Sequence, residues 1–455
     1  MPVTDTHPKY TAKTAIWKKQ RDALGGEEAI KAAKTEYLPD FIPVDPARYA
    51  QYIKRASYVN VTSRTQKGLN GAIFRKGPEV ELSSKVEYLR DDYDGSGQSL
   101  EQLGKVLCGE LLAVGSHGLL VDYPAAEAGL SQAEVKALNL RAIISSYTAE
   151  DIDNWETVAQ GGSLVLTMVK LKETKKVMID AYSFKEEPRY RVLLMEEGKY
   201  VQRLFTDKDE QDGDDIEPKR ADGSRWPYIP FQFVGVEDNR PSPDSPPLAD
   251  IAAINIAHYR NSADHEESLY IHGQGTLFVS SDMSPEQWKE LNPNGIIVGA
   301  RRGHFLGAGG TATLLQVQHN SAIQQAMKDK EAQMKMIGAR LITSATGTQT
   351  AEAARIDASS ETSVLANIAG NASEAITNCL GFCEEFMGGE GSTYELNTAF
   401  FDETMTAQDV MACISLEDRG IWARTDTRAK LKRTGWLDAD RVDEDIDAEA
   451  EVVEV

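Results

Sequence analysis

The chain has 455 residues, 41% hydrophobic and 7% aromatic, enough to bury a sizeable core and to divide into two or more units. Lys and Arg number 49 against 71 Asp and Glu, a formal charge of -22, which argues against a surface that grips nucleic acid, because phosphate binding is built on clustered cations. Four cysteines (Cys108, Cys379, Cys383, Cys413) make no disulfide framework, and no run approaches the roughly 18 to 20 apolar residues of a membrane span.

In chain order, the residues to about Gly71 read as a polar arm with helices over Thr14 to Leu24 and Glu27 to Lys34, broken at Gly25-Gly26 and Leu38-Pro39. Ala47 to Asn60 alternates aromatic and basic residues. It reads as a helix with Tyr49, Tyr52 and Ile53 packed and Lys54 and Arg55 solvated, base stacking being the rival. Arg90 to Glu101 approaches a twelve-residue calcium loop, with Asp92, Asp94, Gly95, Gln98 and Glu101 at positions three, five, six, nine and twelve. Arg90 stands where the first carboxylate belongs, and Ser99-Leu-Glu-Gln102 has the form of a capping box, so a structural turn is the plainer reading.

A helix follows over Leu100 to Val114, apolar at Leu103, Val106, Leu107, Cys108, Leu111 and Leu112, and then a strand over Gly118 to Asp122. Further strands are expected over Arg141 to Tyr147, Leu164 to Leu171, Lys176 to Tyr182, Tyr190 to Met195 and Tyr200 to Phe205. Turns are expected at Gly161-Gly162, Glu187-Pro188 and Glu197-Gly198, giving an antiparallel sheet beside helices. Asp207 to Asp222 reads as a solvated acidic loop and Trp226 to Val236 as one more strand.

Pro246 to Leu341 organises the rest: two helices around a Gly-rich insert. The first begins at Pro246-Pro-Leu, where proline's missing N–H costs nothing. The insert reads as strands at Thr276 to Val279, Gly295 to Val298 and Thr313 to Val317, a short helix at Pro285 to Leu291, and a glycine cluster from Gly303 to Gly310. The second helix, Ser321 to Leu341, carries an apolar stripe of Ile323, Met327, Met334, Ile337 and Leu341. Both helices are too lean to form a core alone, and their cover is either the same chain or a neighbouring copy. Then come a small-residue loop (Thr343 to Thr350), a long helix (Ala351 to Met387), a strand (Thr393 to Phe401), two helices (Ala407 to Arg419, Thr425 to Arg433) and an acidic tail from Val442 to Val455, expected to be disordered.

Catalytic patterns are present only as fragments. The glycine cluster lacks the lysine of a nucleotide loop, His265-Glu266 has Leu269 where a second zinc ligand belongs, and Val114-Gly-Ser-His-Gly118 misses the first glycine of a nucleophile elbow. His258 reads as a polar packing residue. Cys379 and Cys383 read as buried thiols.

Five stretches carry a family resemblance: Tyr58-Val-Asn-Val-Thr-Ser-Arg-Thr65, Gly68-Leu-Asn-Gly-Ala-Ile-Phe-Arg-Lys-Gly-Pro78, Asp94-Gly-Ser-Gly-Gln-Ser-Leu100, Gly118-Leu-Leu-Val-Asp-Tyr-Pro124, and Pro246-Pro-Leu through Tyr259 with Ser262-Ala-Asp264. In this order they resemble a portal-protein family of tailed bacteriophages long catalogued only as a domain of unknown function. The resemblance covers about Tyr37 to Arg433, and Pro-Pro-Leu to Ser-Ala-Asp is its most specific part.

It implies an α+β portal fold: arm and wing (1–245), two stem helices (246–270 and 320–342) around a clip (271–319), a tunnel loop (343–350), a long wing helix (351–390), a C-terminal wing strand with small crown helices (391–441) and an acidic tail (442–455). It further implies a homo-oligomeric ring, usually of twelve, at one capsid vertex of the virion, assembled in the host bacterial cytoplasm. Its implied partners are the major capsid protein, the terminase large subunit, head-tail adaptor or tail proteins, and double-stranded DNA passing through the channel, with no membrane, cofactor or enzymatic activity. On that template the stem carries Leu248, Ile251, Asn255, Tyr259, Asp264, Ile323, Met327 and Met334, the clip Trp288, Arg301 and Arg302, and the tunnel loop Thr343, Ser344, Thr346, Gly347, Thr348, Gln349 and Thr350. Lys328 and Lys335, seven apart on one face, are candidate channel cations; solvated lysines or intersubunit ion pairs are the alternatives. A wall that lets a polyanion slide must not hold it, since each cation contact releases counterions and adds affinity. Rival readings are a virion neck adaptor or ejected internal protein, and a metal-dependent hydrolase on Asp92, Asp94, Glu101 or the Asp207 loop.

Overall fold

A computed structural model describes residues 2–40, 45–124, 138–273, 276–293, 295, 306, 307, 309–315, 321–340, 364–398, 400, 407–433, 436–438, 441–443 and 446. It is a mixed α and β chain in two compact units, Met1–Leu396 and Asn397–Val455.

In the first unit the helices are α1 (Pro8–Gly25), α2 (Glu27–Ala32), α3 (Pro46–Arg55), α4 (Val61–Ile73), α5 (Leu100–Val114), α6 (Ala249–His272), α7 (Pro285–Leu291), α8 (Ser321–Arg340) and α9 (Val364–Met387). A four-stranded antiparallel sheet runs in chain order through β4 (Ile152–Gln160), β5 (Ser163–Met178), β6 (Phe184–Glu196) and β7 (Lys199–Thr206). A three-stranded antiparallel sheet has β2 (Ser116–Asp122) between β3 (Ile143–Thr148) and β8 (Phe231–Gly235). Two small pairs complete the set: β1 (Glu79–Glu81) with β11 (Thr393–Glu395), and β9 (Thr276–Ser280) with β10 (Thr311–Leu315).

The core lies where α5 and α9 meet β2 and β8. Ser99 and Gln102 close a reciprocal capping box that starts α5, and Gly115 ends it at φ 87°, a conformation that costs glycine nothing. The chain then turns into β2, whose Leu119, Leu120 and Val121 are buried on both faces between helices and sheet neighbours. Gly118 is required there, because a Cβ would stand 2.4 Å from Phe231 Cζ and 2.6 Å from Ile152 Cδ1. From α9, Leu365, Ile368, Ala372, Ile376, Cys379, Leu380, Cys383 and Phe386 face this core at the spacing expected from the sequence.

The sheet differs from expectation in three places. β5 is one continuous strand instead of two, β4 was not anticipated, and Pro188 lies within β6 opposite Thr174 instead of in a turn. Its missing N–H is harmless, because β7 leaves β6 one residue earlier, at Arg189 opposite Thr206. The reversal occurs at Asp180, whose carboxylate accepts hydrogen bonds from Tyr182 N (2.8 Å) and Ser183 N (2.9 Å). The last strand begins only at Phe231; Trp226 lies before it, buried against Phe386 with ring centroids 4.5 Å apart.

The N-terminal residues are no free arm. Trp17 Nε1 donates to Val114 O (3.0 Å), tying α1 to the end of α5. Ile30, Tyr37, Leu38, Tyr52, Ala56 and Tyr58 join Ile256, Tyr259 and Ala263 of α6 in one buried cluster. In the second unit α10 (Ala407–Asp418) packs on α11 (Arg424–Arg433), and Lys432 pairs with Asp443 at 2.5 Å. Apart from residues 442, 443 and 446, the acidic tail lies outside the described residues.

Candidate stem helices and docking insert

α6 is wedged between two kinds of neighbour. One side meets α1, α3 and α4 of its own chain; another meets α8. Glu331 of α8 stands 3.4 Å from His258 Nε2, and a Cβ on Gly338 would lie 4.0 Å from Ile251 Cδ1, so the two helices run antiparallel.

The candidate stem residues on α6 are bound into this sandwich. Leu248, Ile251 and Tyr259 are buried, and Tyr259 packs edge-on to Tyr58 with centroids 6.1 Å apart. Asn255, fully buried, accepts from Val61 N (3.1 Å), Thr62 N (3.1 Å) and Thr62 Oγ (3.0 Å) and donates to Val59 O (2.9 Å), satisfying the start of α4. Asp264 accepts from Tyr52 Oη (2.6 Å), and Ser262 Oγ from Ser57 N (3.0 Å). Burial and the bond to Asp264 push the Tyr52 hydroxyl well above its ordinary value. His258 is buried on α6, in keeping with a packing role.

A cluster the sequence reading missed lies further along α6. Glu267 pairs with Arg48 (3.2 Å) and Arg55, and the Arg55 guanidinium lies 4.0 Å over the Tyr270 ring. Arg55 is therefore not simply solvated. Arg48 and Arg55 stand seven apart, on one face of α3, which was the available signal; their acidic partner some 200 residues on was not.

α8 is the opposite case. Of its eighteen described side chains only Met334 is buried; Ile323, Ala326, Met327, Lys330, Ile337 and Gly338 are half-buried and the other eleven exposed. The described part of the apolar stripe, Ile323, Met327, Met334 and Ile337, thus faces α6 of the same chain, and Leu341 lies outside the described residues. The other side, including Gln325, Asp329, Ala332 and Met336, is exposed. Lys328 and Lys335 are exposed, and neither has an ion-pair partner among the described residues.

The insert between these helices shows the antiparallel β9–β10 pair and, between its strands in the chain, α7, which starts at a Ser284–Gln287 capping box and carries half-buried Trp288. Arg301 and Arg302, the loop residues Thr343 to Thr350, and residues 351–363 of the expected long helix lie outside the described residues.

The calcium-like turn is closed by its own contacts. Asp92 accepts from Gly97 N (2.8 Å) and pairs with Arg141; Asp94 accepts from Ser96 N (2.8 Å); Glu101 pairs with Lys105 at 2.5 Å along α5. The Gly97 N–H and Arg141 hold the Asp92 carboxyl below its ordinary value. Among the described residues no three His, Cys, Asp or Glu are grouped to hold a metal ion. Nor is any described helix long and apolar enough to cross a membrane.

A family model described as a domain of unknown function (DUF4055) matches residues 247–387, from the start of α6 to the end of α9. No curated protein matches the chain. Three solved structures are similar over most of their length. They are the neck of a native gene transfer agent particle computed with C12 symmetry (13% identity, 85% of this chain and 93% of that chain, TM-score 0.41), the neck of the empty particle computed with C6 symmetry (15%, 81% and 88%, 0.39) and the virion of the native particle (14%, 80% and 84%, 0.36).

Proposed function

We propose that the chain is a portal protein of a tailed bacteriophage, forming a ring of about twelve copies at one capsid vertex through which DNA is packaged and ejected. The observation that carries this reading is α8: twenty residues long, fixed along one side to α6 and uncovered along the other. A helix held on one side draws most of its stability from packing, so its uncovered side is the natural seat of an adjacent copy. In this reading the uncovered side of α8 meets a different surface of the adjacent copy, and such heterologous contacts close into a ring when the rotation between copies closes.

In this reading α6 and α8 form the stem, the β9–β10 pair and α7 form the clip that meets terminase and later the adaptor or tail, and Thr343 to Thr350 narrow the channel. The wing contacts the major capsid protein. The chain acts without catalysis, as a conduit and docking ring. It resides in the virion after assembly in the host cytoplasm.

The reading is tested at Met336, half exposed on the uncovered side of α8. Met336→Glu is expected to raise the concentration needed for assembly about ten- to hundredfold, read by mass photometry, because an interface side chain is replaced by a charge that must be desolvated. The melting curve of unassembled material should not move. Assembly identical to the parent chain would place the ring contact elsewhere and remove the support that α8 gives.

A further inference from the structure

The whole-chain charge of -22 hides one stretch of the opposite sign: Pro46 to Pro78 carries seven Lys and Arg and no Asp or Glu. Two of the seven, Arg48 and Arg55, are taken up by Glu267. Four others gather on and just after α4. Arg64, Lys67, Gly68 and Gly71 lie three and four apart along one face of that helix, and all four are exposed. Arg75 and Lys76, also exposed, follow directly on its C-cap at Phe74. Arg64, Lys67 and Lys76 have no ion-pair partner among the described residues. Glu79 and Glu81 on β1 mark where the surface turns acidic again.

The face is fixed in place from behind. α4 buries Thr62, Leu69 and Ile73 on its other side, and Asn255 satisfies its first turn. Gln66 Nε2 and Asn70 Nδ2 donate to Gly109 O (2.8 Å) and Lys105 O (2.9 Å) of α5. Gly68 and Gly71 answer no local need, because neither takes a positive φ and a Cβ on either would meet nothing within 4 Å. Glycine destabilises a helix interior relative to alanine, so the fold alone gives no reason for the two. What they provide is helix backbone that a bulky polymer can approach closely.

The chemistry of the face selects a polyanion over a protein. It carries no large exposed apolar side chain; Val59 before α4 and Val106 on α5 are single half-exposed residues. Protein contacts are built around apolar and aromatic anchors and are depleted in Lys, whereas a phosphodiester backbone is held by Lys, Arg and backbone N–H groups. From Arg64 to Phe74 the helix runs roughly 15 Å at 1.5 Å per residue. Duplex DNA presents about one charge per 1.7 Å of its axis, so several phosphates come within reach together.

We propose that the surface formed by Arg64, Lys67 and Lys76 is a sequence-independent contact for the backbone of duplex DNA. About three cations per copy give a weak, salt-sensitive hold, which agrees with a conduit that must not grip. DNA as the partner rests on the reading above; the cationic face does not depend on ring formation.

The full-length chain should bind a labelled duplex of about 30 base pairs, read by fluorescence anisotropy, with affinity falling roughly fortyfold from about 50 to about 200 mM salt, the slope of three phosphate contacts. Arg64→Gln with Lys67→Gln and Lys76→Gln should remove most of that slope and weaken binding about tenfold or more at the lower salt. The melting temperature should not move, because none of the three has an ion pair to lose among the described residues. Arg64→Lys alone, which keeps the charge, should bind like the parent, and Lys328→Gln with Lys335→Gln should keep the slope. A parent chain that does not bind the duplex, a triple variant that binds like the parent, or a loss that follows Lys328 and Lys335 instead would each overturn the assignment. A triple variant whose assembly shifts while its DNA binding holds would make the face a contact between copies and overturn it as well. Failure of the ring reading shows separately, as a parent chain that stays monomeric whether or not it binds the duplex.

Discussion

Asn255→Leu is expected to destabilise the chain by about 3 to 5 kcal/mol, a large share of the roughly 5 to 15 kcal/mol that holds a domain folded. The leucine fits the volume but leaves Val61 N, Thr62 N, the Thr62 hydroxyl and Val59 O without the partners they have now. Each buried orphan costs about 1 to 3 kcal/mol, and α4 can relax enough to rewet only some of them. The effect should appear as a lower urea midpoint with an unchanged slope. It should also appear as faster hydrogen exchange at the first turn of α4, where Asn60 supplies the remaining cap through Ser63 N (2.9 Å). A loss under about 1 kcal/mol would mean that α6 and α4 are joined by apolar packing alone.

The second large effect is expected at Glu173, which accepts from Arg189 Nη2 (2.5 Å), Arg191 Nε (2.6 Å) and Tyr147 Oη (2.8 Å). Arg191 also donates to Gln202 Oε1 (2.6 Å) and approaches Asp122 at 3.4 Å, so one carboxylate joins β5, β6 and β3 and reaches β2. Glu173→Leu leaves Arg189 without its carboxylate and Arg191 with only Gln202 and Asp122, and should cost about 3 kcal/mol. The pH dependence follows from the sign of its shift. Burial works against the charged form, but Arg191 and the hydrogen bonds from Arg191, Tyr147 and Arg189 outweigh it and hold the carboxyl below its ordinary 4.5. A lowered folded value contributes stability that is present above 4.5 and lost as pH falls through the folded value. Glu150, held down by Arg21 against its burial, acts in the same direction, whereas Asp122 and Asp153, raised by burial, act in the opposite one. The stability difference between the parent and Glu173→Leu should therefore shrink from about pH 5 downward. A difference that stays constant through that range would show that the carboxyl titrates alike in the folded and unfolded chain, and one that grows as pH falls would show that it is protonated in the folded chain.

What could be read from the sequence was what is decided locally. α5 begins at the Ser99–Gln102 box and stops at Gly115, α7 spans Pro285–Leu291 as expected, and the Gly161-Gly162 and Glu197-Gly198 turns all take positive φ. Where a distant partner decides, the reading failed. α4 opens on a polar Val-Thr-Ser-Arg run whose N–H groups are satisfied by Asn255, 194 positions away from Val61, and Pro188 is tolerated only because β7 has already ended. Arg55 became half of an ion pair for the same reason.

The candidate stem showed both limits. The stripe on α8 predicted a packed face, and Met334 occupies it, but nothing local says that α6 would be covered by α1, α3 and α4. Both helices had looked equally short of cover; only α8 is.

Native mass tests the ring most directly. About twelve copies of a 50.0 kDa chain give a particle of about 600 kDa, and projections should show a ring with a central hole. A stable 50.0 kDa monomer at micromolar concentration would contradict it.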